Sequence, residues 1–185
     1  MNHRLYRLVI FGAIFFAALT ATVMLFARLN LRVALSDSAT PAGVYRFRPL
    51  TRLARGDLVG ACLPQRIAAV ALSRGYLHDS PYSGCAGGGA PVGKLALALP
   101  GDTVEIESSF VAVSGHRFAN SATATHDSAG RTLAHVPWGV HRVGPGECWL
   151  FGFNNVHSWD ARYYGSVPLS VIQWSAAPIL TWRTP

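Results

Sequence analysis

Residues 8–27, LVIFGAIFFAALTATVMLFA, run for twenty positions without a charge, and nothing else in the sequence restricts the fold as strongly. At helical rise such a run is about 30 Å long, the thickness of a bilayer's hydrocarbon core. Arg4 and Arg7 precede it, and Arg28 and Arg32 follow. A cleaved signal peptide is the competing reading, but it has an apolar core of roughly 7–15 residues and a small-residue cleavage motif. Here the run is longer and ends Met24-Leu25-Phe26-Ala27-Arg28, without an Ala-x-Ala pattern. An uncleaved membrane anchor is therefore expected. Basic residues on both flanks leave the positive-inside rule nearly silent. The simplest topology leaves the remainder of the chain outside the cytoplasm.

That remainder suits one domain, residues 31–185, behind an anchor segment of residues 1–30. With 50% apolar and 14% charged residues, the 185-residue chain has the reverse of a disordered composition. Its 18 Gly and 11 Pro imply many turns rather than a helix bundle. Short apolar stretches rich in β-branched and aromatic residues recur at 44–47, 57–63, 92–99, 103–106, 110–113, 147–153 and 168–174, and each predicts a strand. Residues 64–74 (PQRIAAVALSR) predict one short helix, opened by Pro64 and stopped by Gly75. The small, polar stretch 119–131 predicts a loop. The fold class is mainly β: an antiparallel β domain with one short helix, tethered by a single N-terminal transmembrane helix. The net charge of +7 comes from scattered Arg, which suits solubility or proximity to anionic lipid. No nucleic-acid partner is expected.

Sixteen residues are basic, yet only Lys94 is a lysine. An arginine stays protonated, whereas a lysine with apolar walls loses proton affinity and becomes a usable base near neutrality. On a strand, Lys94, Ala96 and Ala98 share one face and Leu95, Leu97 and Leu99 the other. Such a base needs a nucleophile. Ser38, in the turn Ser36-Asp37-Ser38-Ala39-Thr40-Pro41-Ala42-Gly43, lies about ten residues past the anchor, where Pro41 and Gly43 restrict the backbone. A Ser–Lys pair is a known variant of triad logic, the amine taking the hydroxyl proton.

Three boxes then carry a family resemblance. Lys94 through Asp102 resembles the Lys-Arg-Val-x-Gly-x-Pro-Gly-Asp box of type I signal peptidases. Ser158-x-Asp160-x-Arg162-x-x-Gly165 resembles their Ser-x-Asp-Ser-Arg-x-x-Gly box, and Ser38-Ala39-Thr40-Pro41 their Ser-Met-x-Pro box. Within that clan the chain is most similar to the TraF-type conjugative transfer signal peptidases. The pointers are Pro41-x-Gly43-x-Tyr45, Arg74-Gly75-Tyr76-Leu77 before a cysteine-bearing loop, and the ending Pro178-Ile179-Leu180-Thr181-Trp182.

The resemblance implies a signal-peptidase-like fold in the inner membrane with a periplasmic catalytic domain. It implies a partner too: the pilin precursor of a conjugative type IV secretion apparatus, which some members trim and circularise. Ser38 is then the nucleophile and Lys94 the general base. Ser36 helps hold the oxyanion, Ser158 orients the lysine, and Asp160, catalytic or supporting, pairs with Arg162 on one face of an extended segment. No cofactor and no metal is implied. A general signal peptidase acting on other signal-peptide-bearing proteins, or an inactive membrane-tethered scaffold, are the alternatives.

The departures are specific. TraF-type enzymes usually have one residue between serine and proline. Counting from Pro41 in that register puts Ala39 in the nucleophile's place. The family's Arg after the lysine is Leu95 here, expected to face away from it. Its Gly is Ala98, whose methyl would narrow a substrate pocket. The seven His form no ligand spacing and read as surface or supporting residues, with His157 beside the third box. Cys62 and Cys85 either pair in an oxidising compartment, worth roughly 3 kcal/mol in the loop-entropy model, or stay free. Cys148 would then be a buried thiol in a strand.

Overall fold

The computed structural model describes residues 3–34, 38–81 and 83–182. The first helix, α1, spans His3–Arg28, and its segment Arg7–Arg28 is long and apolar enough to cross a membrane, with mean hydropathy 2.5 and none of it buried against the rest of the chain. A turn at Leu29-Asn30 ends it, and the chain enters β1 (Leu31–Ala34) directly.

Ten further strands follow: β2 (Ala42–Pro49), β3 (Asp57–Ala61), β4 (Val92–Ala98), β5 (Thr103–Ile106), β6 (Val111–Val113), β7 (His116–Arg117), β8 (Gly139–Arg142), β9 (Glu147–Phe151), β10 (Val167–Pro168) and β11 (Ile172–Trp182). They form a seven-stranded sheet ordered β1-β2-β11-β3-β4-β9-β10 and a four-stranded sheet ordered β7-β6-β5-β8. Every strand pair is antiparallel. The mainly antiparallel β class expected from the sequence is the one observed.

Period-2 alternation explains the two cores. On β9, Trp149 and Phe151 point into a cluster with Leu97, Val104, Ile106, Val111 and Val113, which joins the two sheets. Cys148 and Leu150, on the opposite face, pack with Val59, Ala61, Ala96, Val167 and Ile172. Fully burying one of the larger of these side chains contributes about 1.5–3 kcal/mol. The longest strand, β11, lies between β2 and β3. It fits there because Gly43 has no Cβ, which would collide with the Leu180 carbonyl.

Several expectations are corrected. The single strand expected at 168–174 is split: β10 ends at Pro168, a 3-10 turn covers Leu169–Val171, and β11 then continues to Trp182. A bulge between Pro178 and Leu180 absorbs the proline, which has no N–H for the ladder. Besides the expected helix, observed as α2 (Gln65–Ser73), there is a second short one, α3 (Ala161–Tyr164), capped by the Asp160 carboxylate. Ala98 does not share the face of Lys94 and Ala96. The pairing of β4 with β9 shifts register between Ala96 and Ala98, which carries Ala98 into the cluster of Leu97 and Phe151. Of the two cysteine arrangements, the bonded one is present: Cys62 and Cys85 form a disulfide with Cα atoms 5.2 Å apart, leaving Cys148 free and buried.

Candidate active site

Ser38 opens the turn that leads into β2. The buried Tyr45 donates its hydroxyl to the Pro41 carbonyl at 2.6 Å and pins that turn from below, which accounts for the Pro41-x-Gly43-x-Tyr45 spacing. The Asn155 N–H reaches the Ser38 carbonyl at 3.4 Å from the opposite side. Ala39 is turned inward and buried, so the register counted from Pro41 would present a core methyl group.

Lys94 projects from β4 on the side facing this turn. Its Nζ lies 2.8 Å from Ser38 Oγ and 2.6 Å from Ser158 Oγ, and the two hydroxyls are 2.9 Å apart. Three polar groups 56 to 120 residues apart in sequence thus form one closed triangle. Lys94 is only 6% exposed. Burial away from water lowers its pKa from 10.5 to about 8; Asp160 opposes the drop and Arg162 adds to it. As expected, Leu95 turns the other way, against the cluster between the sheets.

Asp160 and Arg162 lie behind the triangle and touch neither Ser38 nor Lys94 through any hydrogen bond described. Both are fully buried. Arg162 Nε donates to Asp160 Oδ1 at 2.9 Å and an Arg162 terminal nitrogen to Oδ2 at 2.9 Å, a bidentate pair. The same carboxylate caps α3 through the Arg162 N–H and accepts the Gly152 N–H at 2.9 Å. Arg162 in turn holds the Ser158 carbonyl at 2.9 Å and the Ala122 carbonyl at 2.5 Å. The pairing expected from the sequence is present, but it arises at a helix cap rather than on one face of an extended segment. Ser36 lies outside the described residues.

Gly152 escaped the sequence reading. A Cβ there would collide with Ser158 Oγ and the Ser38 carbonyl and come within 3.1 Å of Lys94 Nζ. Its missing side chain leaves room for the amine, the Ser158 hydroxyl and the Ser38 carbonyl. The only sequence signal was a glycine closing the β9 stretch, and the chain has 18 glycines.

An open cleft of about 360 Å³ contains Ser38 and Lys94. Leu63, Ala71, Leu77 and His78 line its wall, as do His157 and Trp159. The disulfide joins the residue before Leu63 to the loop that follows His78, so it crosses this wall covalently. Ala98, fully buried behind the bulge, does not line the cleft. Cys148 faces the other core, where burial, with Glu147 adding to it, pushes its thiol up to about 12 and leaves it inert.

A serine hydroxyl against a buried lysine amine of lowered pKa is an arrangement in which the amine can take the hydroxyl proton, the Ser–Lys variant of triad logic. The chain belongs to the family described as signal peptidase, peptidase S26, which it matches over residues 4–180. Within it, the chain is 37% identical over 187 residues to the conjugal transfer protein TraF of Agrobacterium tumefaciens (strain 15955), covering 99% of both chains. It is 32% identical to a plasmid transfer protein TraF of Escherichia coli, over 80% of this chain and 81% of that one. Among solved structures, a signal peptidase I from Enterococcus faecalis V583 aligns with 71% of this chain and 98% of its own at TM-score 0.37 and 19% identity.

Proposed function

We propose that the chain is a membrane-anchored serine endopeptidase that cleaves, and can circularise, the pilin precursor of a conjugative secretion apparatus. In this reading residues 1–30 are the cytoplasmic tip and anchor, held in the inner membrane, and residues 31–185 are the periplasmic catalytic domain. The observation that carries it is the 2.8 Å contact between Ser38 Oγ and the Nζ of a buried Lys94 whose pKa is lowered to about 8. At pH 7 roughly a tenth of such an amine is neutral, enough to act as a base without an external activator.

The neutral amine keeps one N–H on Ser158 Oγ and directs its lone pair at the Ser38 hydroxyl. As Ser38 Oγ attacks the scissile carbonyl carbon, its proton passes to Lys94 Nζ. The ammonium then protonates the leaving amine and an acyl-enzyme remains. The oxyanion falls to the Ser38 N–H and, by family resemblance, to Ser36; one such donor is typically worth about 10²–10³ in rate. Water, deprotonated by the same amine, releases a linear product. If the precursor's own N-terminal amine attacks instead, the product is a circle lighter by one water. Asp160 and Arg162 act through position: they fix Gly152, Ser158 and the start of α3, and with them the back of the triangle.

The test uses the membrane-bound chain with its candidate pilin precursor, comparing wild type with Ser38→Ala and Lys94→Arg by intact mass. Cleavage by wild type and by neither variant is the expected result, and the product's mass separates hydrolysis from ring closure. Cleavage by Ser38→Ala would overturn the assignment of the nucleophile. A wild type that cleaves only general secretory precursors would reassign the substrates. One that cleaves nothing would make the chain a scaffold.

A further inference from the structure

A second hollow, of about 400 Å³, lies on the other side of Trp159 from the Ser38 cleft, between α2 and the segment 159–164. Arg66 and Val70 stand at i and i+4 on α2, and Arg74, the residue that caps its C-terminus, continues the same line at i+8, about 12 Å from Arg66 along the axis. Trp159 and Tyr163 face that line. Trp159 lines the cleft as well, and a smaller hollow bounded by Tyr76 and His157 touches both. The three hollows make one trench leading away from Ser38.

Its charge is unbalanced at one point. The carboxylate in the trench, Asp127, is already held by the Tyr76 hydroxyl, by Arg131 and by backbone N–H groups. Arg74 donates to the Thr132 carbonyl at 2.8 Å. Arg66 is exposed and makes no hydrogen bond or ion pair with any described residue. An aromatic floor with an unengaged guanidinium at its rim suits an apolar peptide segment that carries a carboxylate.

We propose that the trench is an outlying part of the substrate site, in which Arg66 takes a peptide carboxylate while a neighbouring apolar side chain rests on Val70 and Trp159. The proposal rests on the peptidase reading and deepens it, by naming the class of substrate. Side-chain and chain-terminal carboxylates offer the same chemistry, and the experiment separates them.

Binding and cleavage are measured apart. The full-length Ser38→Ala chain in lipid nanodiscs is titrated by fluorescence anisotropy with labelled peptides. These carry Glu or Gln at successive positions on either side of the cleavage point, and end in a free acid or an amide. In one of these pairs the acid binds about threefold to tenfold more tightly, less so at high salt. Arg66→Gln brings that ratio to about one and Arg66→Glu inverts it. The pair that responds identifies the carboxylate as a side chain or a chain end. A wild-type ratio of one in every pair, or a ratio indifferent to both Arg66 variants, overturns the inference. Cleavage without an acid preference removes this inference and leaves the peptidase standing. Acid preference with no cleavage by the Ser38-containing chain does the reverse.

Discussion

Two cations are buried side by side in this protein, Lys94 at 6% exposure and Arg162 at 0%, and their surroundings differ in one respect. Arg162 meets a carboxylate with two parallel hydrogen bonds and gives two further donors to backbone carbonyls. Lys94 meets two hydroxyls and, among the described residues, hydrogen-bonds to no carboxylate. The paired cation is inert and organises the loop around it. Lys94 is pushed toward neutrality by the same burial, with Asp160 opposing that shift and Arg162 adding to it. Burial alone therefore makes neither a base nor a scaffold; the partner decides.

The largest effect expected from breaking this contrast is on the Lys94 side. Lys94→Met should remove cleavage by about 10⁴-fold or more while strengthening the fold. The sign follows from linkage. The folded chain holds the Lys94 proton less well than the unfolded chain does, so stability climbs as pH rises from about 8 to 10.5, and below about 8 the burial penalty is present in full. Replacing the amine with an apolar side chain removes a penalty of about 3 kcal/mol, read as a higher Tm at pH 7 and no gain at pH 11. A lower Tm at pH 7 would mean that Lys94 stabilises the chain as Arg162 does.

On the other side of the comparison, Asp160→Asn should lower stability by about 3–5 kcal/mol, because it strands a buried guanidinium. The double change Asp160→Leu with Arg162→Met should recover most of that loss in denaturant melts, while leaving cleavage low because Gly152 and Ser158 lose their anchor. Equal destabilisation by the single and double changes would rule out a charge-pairing account.

The smallest effect sharpens the contrast. The rate of cleavage, measured as kcat/KM, should rise with pH through about 8 as Lys94 loses its proton. Asp160 pulls that pKa up, so in whatever Asp160→Asn protein folds, the acid limb should move to lower pH. A limb that stays in place would show that the carboxylate does not reach the base electrostatically.

Much of this site was legible from composition. One lysine among sixteen basic residues singled out Lys94, whereas the pairing of Asp160 with Arg162 came from the family resemblance, and the extended face read from their spacing is replaced by a helix cap. The bulge beyond Ala96 was not legible, because it arises from a register mismatch between β4 and β9 that neither strand carries alone. Gly152 was invisible for a similar reason: what it makes room for comes from Ser38, Lys94 and Ser158, which are distant in sequence. The extent of β11 was hidden by Pro178, a breaker in any local reading that a bulge in the tertiary fold accommodates.

The position of β11 also sets a schedule. The serine's turn leads into β2 and the lysine stands on β4, so the two halves of the dyad belong to opposite flanks of the sheet, and β11 is the strand that joins them. A nascent chain that has not yet reached Trp182 has both flanks and no seam. Its Ser38 and Lys94 are already synthesised but lack the strand that joins their flanks, and closing the seam requires contacts across more than a hundred residues, a slow step in any β topology. The 2.8 Å contact between Ser38 and Lys94 thus depends on a strand that carries neither residue.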